Sequence, residues 1–262
     1  MNRRAVLQRA ITLAAGGLLL PGTALATAAW ARHAAIVDLL AGRVPDTDGI
    51  LLELPAVSED GSSVPMRVAV ESPMTADARV TAVHVFAPGN PSPTVLTARF
   101  QPEAGMADLS TRIRLNASQR VFAVAEMSDG SVRLAEQSVR VTVSGCLTTA
   151  TGSSDDIMRT RVRLPGSAAP GEPVELLSLI QHPMETGFRQ DANGVPLPRH
   201  LLERLQITLA GQPLVELLFQ SSVSANPYVR LLLRPTGSGP VELLWQDDQG
   251  RTAREQLEFQ LR

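Results

Sequence analysis

Short segments in which apolar and polar residues alternate recur along most of this chain, separated by turns rich in glycine, proline and aspartate. A period of two is typical of a β-strand with one buried face, and no amphipathic helical pattern lies between these segments. Strands at this spacing predict an all-β chain made of antiparallel sandwiches. The predicted strands are residues 50–54, 64–70, 80–86, 94–100, 110–115, 119–127, 131–143, 158–164, 173–181, 201–209, 213–220, 228–233, 240–245 and 255–261.

One stretch interrupts this pattern and divides the chain in two. Residues 147–156 are small and polar and have no apolar periodicity, which is typical of a linker. We therefore predict a first β-sandwich domain at 27–146, a linker at 147–156 and a second β-sandwich domain at 157–262. The first domain begins with a short helix, residues 27–42, in which apolar residues recur at helical spacing and Gly42 is the expected C-cap.

The N-terminal residues 1–26 have the features of an export signal. Arg3 and Arg4 precede an apolar run, residues 10–20, and the small residues 24–26 form a cleavage site. The run is too short to cross a bilayer, which needs about 20 residues in a helix. We predict a twin-arginine signal peptide, a periplasmic location, and no membrane attachment after its removal.

Composition excludes several functional classes. The chain is 44% hydrophobic and 19% charged with a net charge of −2, so nucleic acid is not an expected partner. Nucleophile elbows, phosphate-binding loops and paired catalytic carboxylates are absent from the sequence. The pattern predicts that the chain is not an enzyme and needs no cofactor. The histidines are dispersed without metal-ligand spacing: His33, His84, His182 and His200.

Two local groups have alternative interpretations. His182 and Met184 lie two residues apart beside a turn, so a soft-metal site is conceivable, but shaping the loop is the preferred role. Asp247 and Asp248 are interpreted as solvated residues of a tight turn. Neither group gives the sequence a catalytic site.

Cys146, the only cysteine, is the candidate functional residue. Val139, Val141 and Val143 are the apolar positions of the preceding strand, and continuing this alternation puts Cys146 on the polar face. In an exported chain a single cysteine is buried, bonded to another chain, or free and reactive. An ordinary thiol with a pKa of about 8.5 is still a few per cent thiolate at neutral pH. This profile fits a carrier that holds a group while other proteins do the chemistry.

Several blocks of sequence resemble the two-subunit Sox sulfur-oxidation carrier, SoxYZ. Residues 68–74, 85–91, 110–115, 123–130 and 145–146 are similar to its Y subunit. Residues 182–189, 191–194, 224–228 and 245–248 are similar to its Z subunit. The blocks occur in the right order, so the chain resembles a natural fusion of the two subunits.

The resemblance implies two immunoglobulin-like β-sandwiches and a covalent carrier cysteine, Cys146, on an arm that includes Ser144, Gly145 and Leu147. Glycines flank the cysteine in the family, whereas Ser144, Leu147 and Thr148 stand at three of those positions here. The implied partners are a haem protein that attaches thiosulfate, a hydrolase that releases sulfate and a sulfane dehydrogenase. Fused relatives suggest an alternative, an adaptor protein of a periplasmic quinoprotein dehydrogenase that carries no sulfur.

Overall fold

The computed structural model describes residues 28–144, 156–191 and 193–262. The predicted all-β class is confirmed, as is the short helix near the N-terminus. A 3-10 turn, Ala29–Arg32, leads into the helix α1, Ala34–Leu40. The strands in these ranges are β1 Ile50–Glu53, β2 Val57–Asp60, β3 Val64–Val70, β4 Val80–Phe86, β5 Thr94–Phe100, β6 Ala107–Ile113, β7 Gln119–Met127, β8 Val132–Val143, β9 Thr160–Arg163, β10 Ser167–Ala168, β11 Val174–Ile180, β12 Leu202–Leu209, β13 Gln212–Phe219, β14 Tyr228–Leu233, β15 Gly239–Asp247 and β16 Thr252–Leu261.

Both sheets of the sandwich run through both halves of the chain. The larger sheet has ten strands in the order β10-β16-β15-β12-β13-β5-β4-β7-β8-β2, and the smaller has six in the order β1-β3-β6-β14-β11-β9. The halves meet where β5 pairs with β13 in the larger sheet and β6 pairs with β14 in the smaller one, both antiparallel. Edge strands expose unpaired backbone groups. Each half therefore covers one edge of the other half in each of the two sheets.

One apolar core lies between the two sheets, and both halves contribute to it. Val85 and Phe100 from the first half belong to the same cluster of buried side chains as Leu217 and Trp245 from the second. The Trp245 ring stacks on Phe219 with 5.6 Å between the ring centroids. The alternation predicted from the sequence supplies this core, because every second residue of each strand points into it.

The helix α1 covers part of the outer face of the ten-stranded sheet. Its buried residues Ile36 and Leu40 pack against Phe122 and Val124 of β7. This explains why β7 buries five consecutive residues, 121–125, although a strand with one solvated face would alternate. The helix ends at Ala41, which has a positive φ of 49°, one residue before the predicted C-cap. Among the described residues, no helix has the length and hydropathy needed to cross a lipid bilayer.

Strand β2 was not predicted from the sequence. It pairs in parallel with the end of β8, with Val57 opposite Arg140 and Asp60 opposite Val143. The strand has only four residues, lies at the edge of its sheet and is exposed along most of its length. Nothing in such a segment produces a hydrophobic period of two.

Candidate functional site

Strand β8 leads toward Cys146, and the end of the sandwich where it stops is called the arm end here. Gly145, Cys146 and Leu147 lie outside the described residues, as do residues 1–27 and most of the predicted linker. The loops at the arm end are residues 87–93, 114–118, 181–201 and 220–227, together with the turn 248–251. Most of the blocks that resemble the Sox carrier fall within these loops or beside them.

The predicted alternation of β8 holds at its middle and is lost at its end. Val139 is buried, with 2% of its surface exposed, and Val141 packs against the core. Val143 is 56% exposed, and its neighbour Thr142 is exposed as well. The strand therefore has no buried face from which to extend the alternation to Cys146.

Ser144 is the last described residue before Cys146, and it is fixed to a neighbouring loop. Its hydroxyl donates a hydrogen bond of 2.7 Å to Oδ1 of Asn116. Ser118 contacts the same strand, accepting a 2.9 Å hydrogen bond from the amide of Val141. The chain is thus ordered by side-chain contacts up to two residues before the cysteine.

Gly61 closes the base of the arm from the other side. Its amide donates to the carbonyl of Val143 over 2.8 Å, and its carbonyl accepts from the amide of Leu115, also over 2.8 Å. A Cβ atom at Gly61 would lie 2.3 Å from the Leu115 carbonyl oxygen and 2.8 Å from the Val143 carbonyl oxygen. The position therefore requires glycine, because backbone approaches it from two directions.

Asn90 connects the loops of the two halves at the arm end. Only 6% of its surface is exposed. Its amide nitrogen donates to the carbonyl of Arg114 over 2.8 Å and to the Ser222 hydroxyl over 2.9 Å. Its amide oxygen accepts from the amide of Asn116 and from the Gln119 side chain. Since Asn116 also holds Ser144, this network reaches from the second half of the chain to the base of the arm.

Arg114 makes a second connection between the halves. Its buried guanidinium donates a 2.6 Å hydrogen bond to the carbonyl of Met184 and a 3.4 Å bond to that of Pro183. Met184 has a φ of 48°, a left-handed conformation that is unfavourable for a residue other than glycine. Its sulfur accepts a hydrogen bond from the amide of Leu202, so the sulfur is engaged in holding the loop.

Two histidines that are dispersed in the sequence meet Asp247 in the interior. The His182 and His200 ring centroids are 4.4 Å apart, and Nε2 of His200 donates to Oδ2 of Asp247 over 2.8 Å. The interpretation of Asp247 as a solvated turn residue is wrong, because only 1% of its surface is exposed. Its other carboxylate oxygen accepts from the amides of Gln249 and Arg251, so the buried carboxylate holds a turn whose residues 249–251 are exposed.

These three side chains are of metal-ligand type, and their ligand atoms lie within 4.8 Å of one another. However, Nδ1 of His182 accepts a hydrogen bond from the amide of Met184, which leaves the proton of a neutral ring on Nε2. Nε2 lies 3.8 Å from Oδ2 of Asp247 and therefore faces it as a donor, not as a lone-pair ligand. We interpret the cluster as a polar anchor for the 181–201 loop, as the preferred role of His182 predicted.

Burial controls the protonation of this anchor. It lowers the pKa of His182 to about 4, and the neighbouring His200 acts in the same direction, although Asp247 opposes both. Burial would raise the pKa of Asp247, but hydrogen bonds from His200 and from the Arg251 and Gln249 amides lower it below its ordinary value. The stable state near neutral pH is therefore a neutral His182 beside an ionised Asp247.

The sequence reasoning missed Gly61, Asn90 and Arg114. Gly61 and Asn90 stand in turns, where glycine and asparagine are common for local reasons. Arg114 lies within the predicted strand 110–115 and has no local sign of burial. The only available signal was that Asn90 and Arg114 fall within blocks similar to the Sox carrier, and that resemblance does not say what the residues contact.

Two protein-family models match the chain, one in each half. The family model for sulfur oxidation protein SoxY matches residues 37–146, and that for sulphur oxidation protein SoxZ matches residues 162–258. The sulfur carrier protein SoxY from Chlorobium limicola f thiosulfatophilum is 27% identical over 42% of this chain and 94% of its own, with a TM-score of 0.35. Superoxide reductase (neelaredoxin) from Ignicoccus hospitalis is 18% identical over 36% of this chain and 81% of its own, with a TM-score of 0.33. No curated protein matches the chain significantly.

The two family models define the class to which the protein belongs, the carrier proteins of sulfur oxidation. The chain belongs to the SoxY family over its first half and to the SoxZ family over its second, so it is a fused carrier of the SoxYZ type.

Proposed function

We propose that this protein is a periplasmic carrier that holds thiosulfate-derived intermediates covalently on Cys146 while partner Sox enzymes process them. The observation that carries the proposal is the extent of the SoxY match, which ends at Cys146 and is followed by a SoxZ match in the same chain. In loading, the Cys146 thiolate and the outer sulfur of thiosulfate form a disulfide bond. This bond formation releases two electrons, which a haem partner accepts.

The described residues around the arm suit this role. The network of Gly61, Asn116 and Ser144 fixes the chain just before the cysteine, whereas a partner must reach the thiol itself. Because Ser144 and the residues before it are already held, a partner that binds the arm loses no entropy in ordering them. The base and the surrounding loops come from both halves, so the SoxZ half supports the part of the SoxY half that leads to the thiol.

Mass spectrometry on protein from cells supplied with thiosulfate tests the proposal. We expect sulfur adducts on the peptide that contains Cys146, loss of these adducts in Cys146→Ala, and strongly reduced thiosulfate oxidation in the same strain. Ser144→Ala is the matched control, because it changes the arm and keeps the thiol. An unmodified Cys146 together with normal thiosulfate oxidation by the alanine variant would contradict sulfur carriage and favour the adaptor role with a quinoprotein dehydrogenase.

Export is part of the proposal and has its own test. Cell fractionation should find the mature protein in the periplasm, and its mass should correspond to cleavage after Ala26. Replacing Arg3 and Arg4 by lysine should retain the protein in the cytoplasm. Unchanged export of that variant would contradict the twin-arginine route.

A further inference from the structure

The outer face of the six-stranded sheet carries a row of exposed side chains close to the arm end. Leu179 of β11 lies opposite Tyr228 of β14 on one side and Arg161 of β9 on the other. Arg112 of β6 extends the row, since its guanidinium carbon lies 5.6 Å from the centroid of the Tyr228 ring. The row therefore has an apolar centre with an arginine at each end.

A second row lies beside the first. Leu177 is opposite both Arg230 and Arg163, in the same strands. Arg230 is neutralised by Glu175, with 2.6 Å between Nε and Oε2. We refer to the two rows as the arginine face, which consists of Arg112, Arg161, Arg163, Leu177, Leu179 and Tyr228.

The arginine face keeps positive charge that the neighbouring surface neutralises. Arg67, on the same sheet, is held by Glu53 and Asp108 at 3.0 Å and 2.7 Å. Within the described part of the chain, Arg112, Arg161 and Arg163 have no carboxylate within ion-pair distance. The surplus is local, because the whole chain has a net charge of −2.

Other arginines of the molecule show that pairing is available on a flat sheet surface. On the outer face of the ten-stranded sheet, Arg99 contacts Glu216 at 2.8 Å and Arg120 contacts Glu136 at 2.9 Å. Arg254 lies 3.7 Å from Glu242 in the same way. Among the described residues, the arginine face thus groups three guanidiniums that have no ion pair, although paired arrangements occur on the other sheet.

The chemistry of this face is typical of a protein interface. Arginine and tyrosine are enriched where proteins bind each other, and guanidiniums form two parallel hydrogen bonds with a carboxylate. Leu179, at the centre of the row, is 38% exposed. A surface groove of about 580 Å³ adjoins the row and is lined by Leu54, Pro55, Arg112 and Tyr228.

The face is also well placed beside the arm. β14 begins at Tyr228 and β9 at Thr160, both at the arm end, and β9 follows the predicted linker along the chain. Arg112 belongs to the SoxY half, whereas Tyr228 and Leu179 belong to the SoxZ half. A partner on this face would contact both halves at the end of the sandwich where β8 stops.

We propose that the arginine face is a docking surface for an acidic surface of a partner protein, with carboxylates on Arg112, Arg161 and Arg163 and an apolar group on Tyr228 and Leu179. This inference deepens the proposed carrier function, because it gives the chemistry of the partner that receives the arm. Such charge complementarity increases the association rate, and its effect decreases with salt because the Debye length is about 10 Å at 0.1 M.

Binding of a defined acidic probe tests the inference without requiring a known partner. The probe is a fluorescein-labelled twelve-residue peptide of alternating glutamate and leucine, and fluorescence anisotropy is measured with the full-length mature protein at low and at physiological salt. We expect saturable binding that weakens with salt. The variant Arg112→Glu/Arg161→Glu should lose about tenfold or more in affinity.

The matched control is Arg120→Glu/Arg254→Glu, which makes the same change of net charge on the other sheet and should bind within about twofold of wild type. Arg112→Gln/Arg161→Gln should show an intermediate loss, and it serves if the reversed variant does not fold. Shifts in the methyl resonances of Leu177 and Leu179 on peptide addition would locate the probe on the face.

Three results would overturn the inference: an equal loss in the control variant, no loss in the arginine-face variant, or preferential binding of phosphatidylglycerol vesicles over the peptide. The first indicates attraction by net charge alone, and the last indicates a lipid surface. Cys146→Ala should bind the peptide normally, and the arginine-face variant should keep a reactive thiol. These two measurements therefore distinguish a failure of docking from a failure of sulfur carriage.

Discussion

Substituting alanine for Gly61, which lies at the base of the arm, should lower the stability of the folded protein. The new Cβ would stand 2.3 Å from the Leu115 carbonyl oxygen and 2.8 Å from that of Val143, and both atoms belong to backbone that cannot rotate away. Relieving the clash stretches the hydrogen bonds that Gly61 makes to these two residues. Overpacking contributes about 1–3 kcal/mol and two weakened backbone bonds about 0.5–1.5 kcal/mol each. We expect a loss of roughly 2–6 kcal/mol in the free energy of unfolding.

Thermal unfolding and hydrogen exchange measure this effect. For a chain of this size, at about 2–4 °C per kcal/mol, the loss corresponds to a fall in Tm of about 4–24 °C. Exchange should accelerate first at the amides of Gly61 and Leu115. Gly166→Ala is the control, because its Cβ would meet no atom within 4 Å and its φ is not in the left-handed range. A Gly61→Ala protein with the Tm of wild type and normal protection of these amides would refute the packing argument.

Three further predictions follow from the contacts between the halves and from the buried anchor. Asn90→Ala should lower the free energy of unfolding by about 2–4 kcal/mol in urea titrations, because the buried groups that the Asn90 side chain bonds lose their partner. Asn193 is exposed, so the control variant Asn193→Ala should change this free energy little. Because burial lowers the pKa of His182 in the folded protein, the free energy of unfolding should decrease as the pH falls from ~6.5 toward 4, by at most about 1.4 kcal/mol per pH unit. Urea titrations at pH 7 and pH 4.5 should show a smaller difference in this free energy for His182→Asn. Finally, a chain cut at a protease site inserted within residues 147–155 should still elute as one particle on size exclusion, because the strands of the two halves pair with each other. Separation of the two fragments would contradict this pairing.

Much of the fold was predictable from the chain because alternation reports which face of a strand is buried. Most predicted strands exist, and Val139 points into the core as its position in β8 predicts. Alternation does not report which edges pair, so the β5–β13 and β6–β14 pairings had no signature in the sequence. It also fails where a second layer covers the outer face, as α1 does over Phe122 and Val124.

The candidate site was less predictable, because its polar contacts join distant parts of the chain. His200 and Asp247 are separated by 47 positions, yet their side chains form a buried hydrogen bond. A turn residue such as Asp247 has the same local sequence whether it faces water or the interior. The tertiary position of the turn decides its role, and only the packing of β12 against β15 establishes that position.

The shared sheets have a consequence for assembly. Before the second half is in place, the first half exposes the edges of β5 and β6, which are open to pairing with other chains. Covalent connection makes the completing half available at an effective concentration in the millimolar range. Correct assembly is then favoured over intermolecular pairing, and it does not depend on matched synthesis of two polypeptides. A carrier made of two separate subunits would dissociate on dilution, whereas in this chain the two halves are always present in a one-to-one ratio.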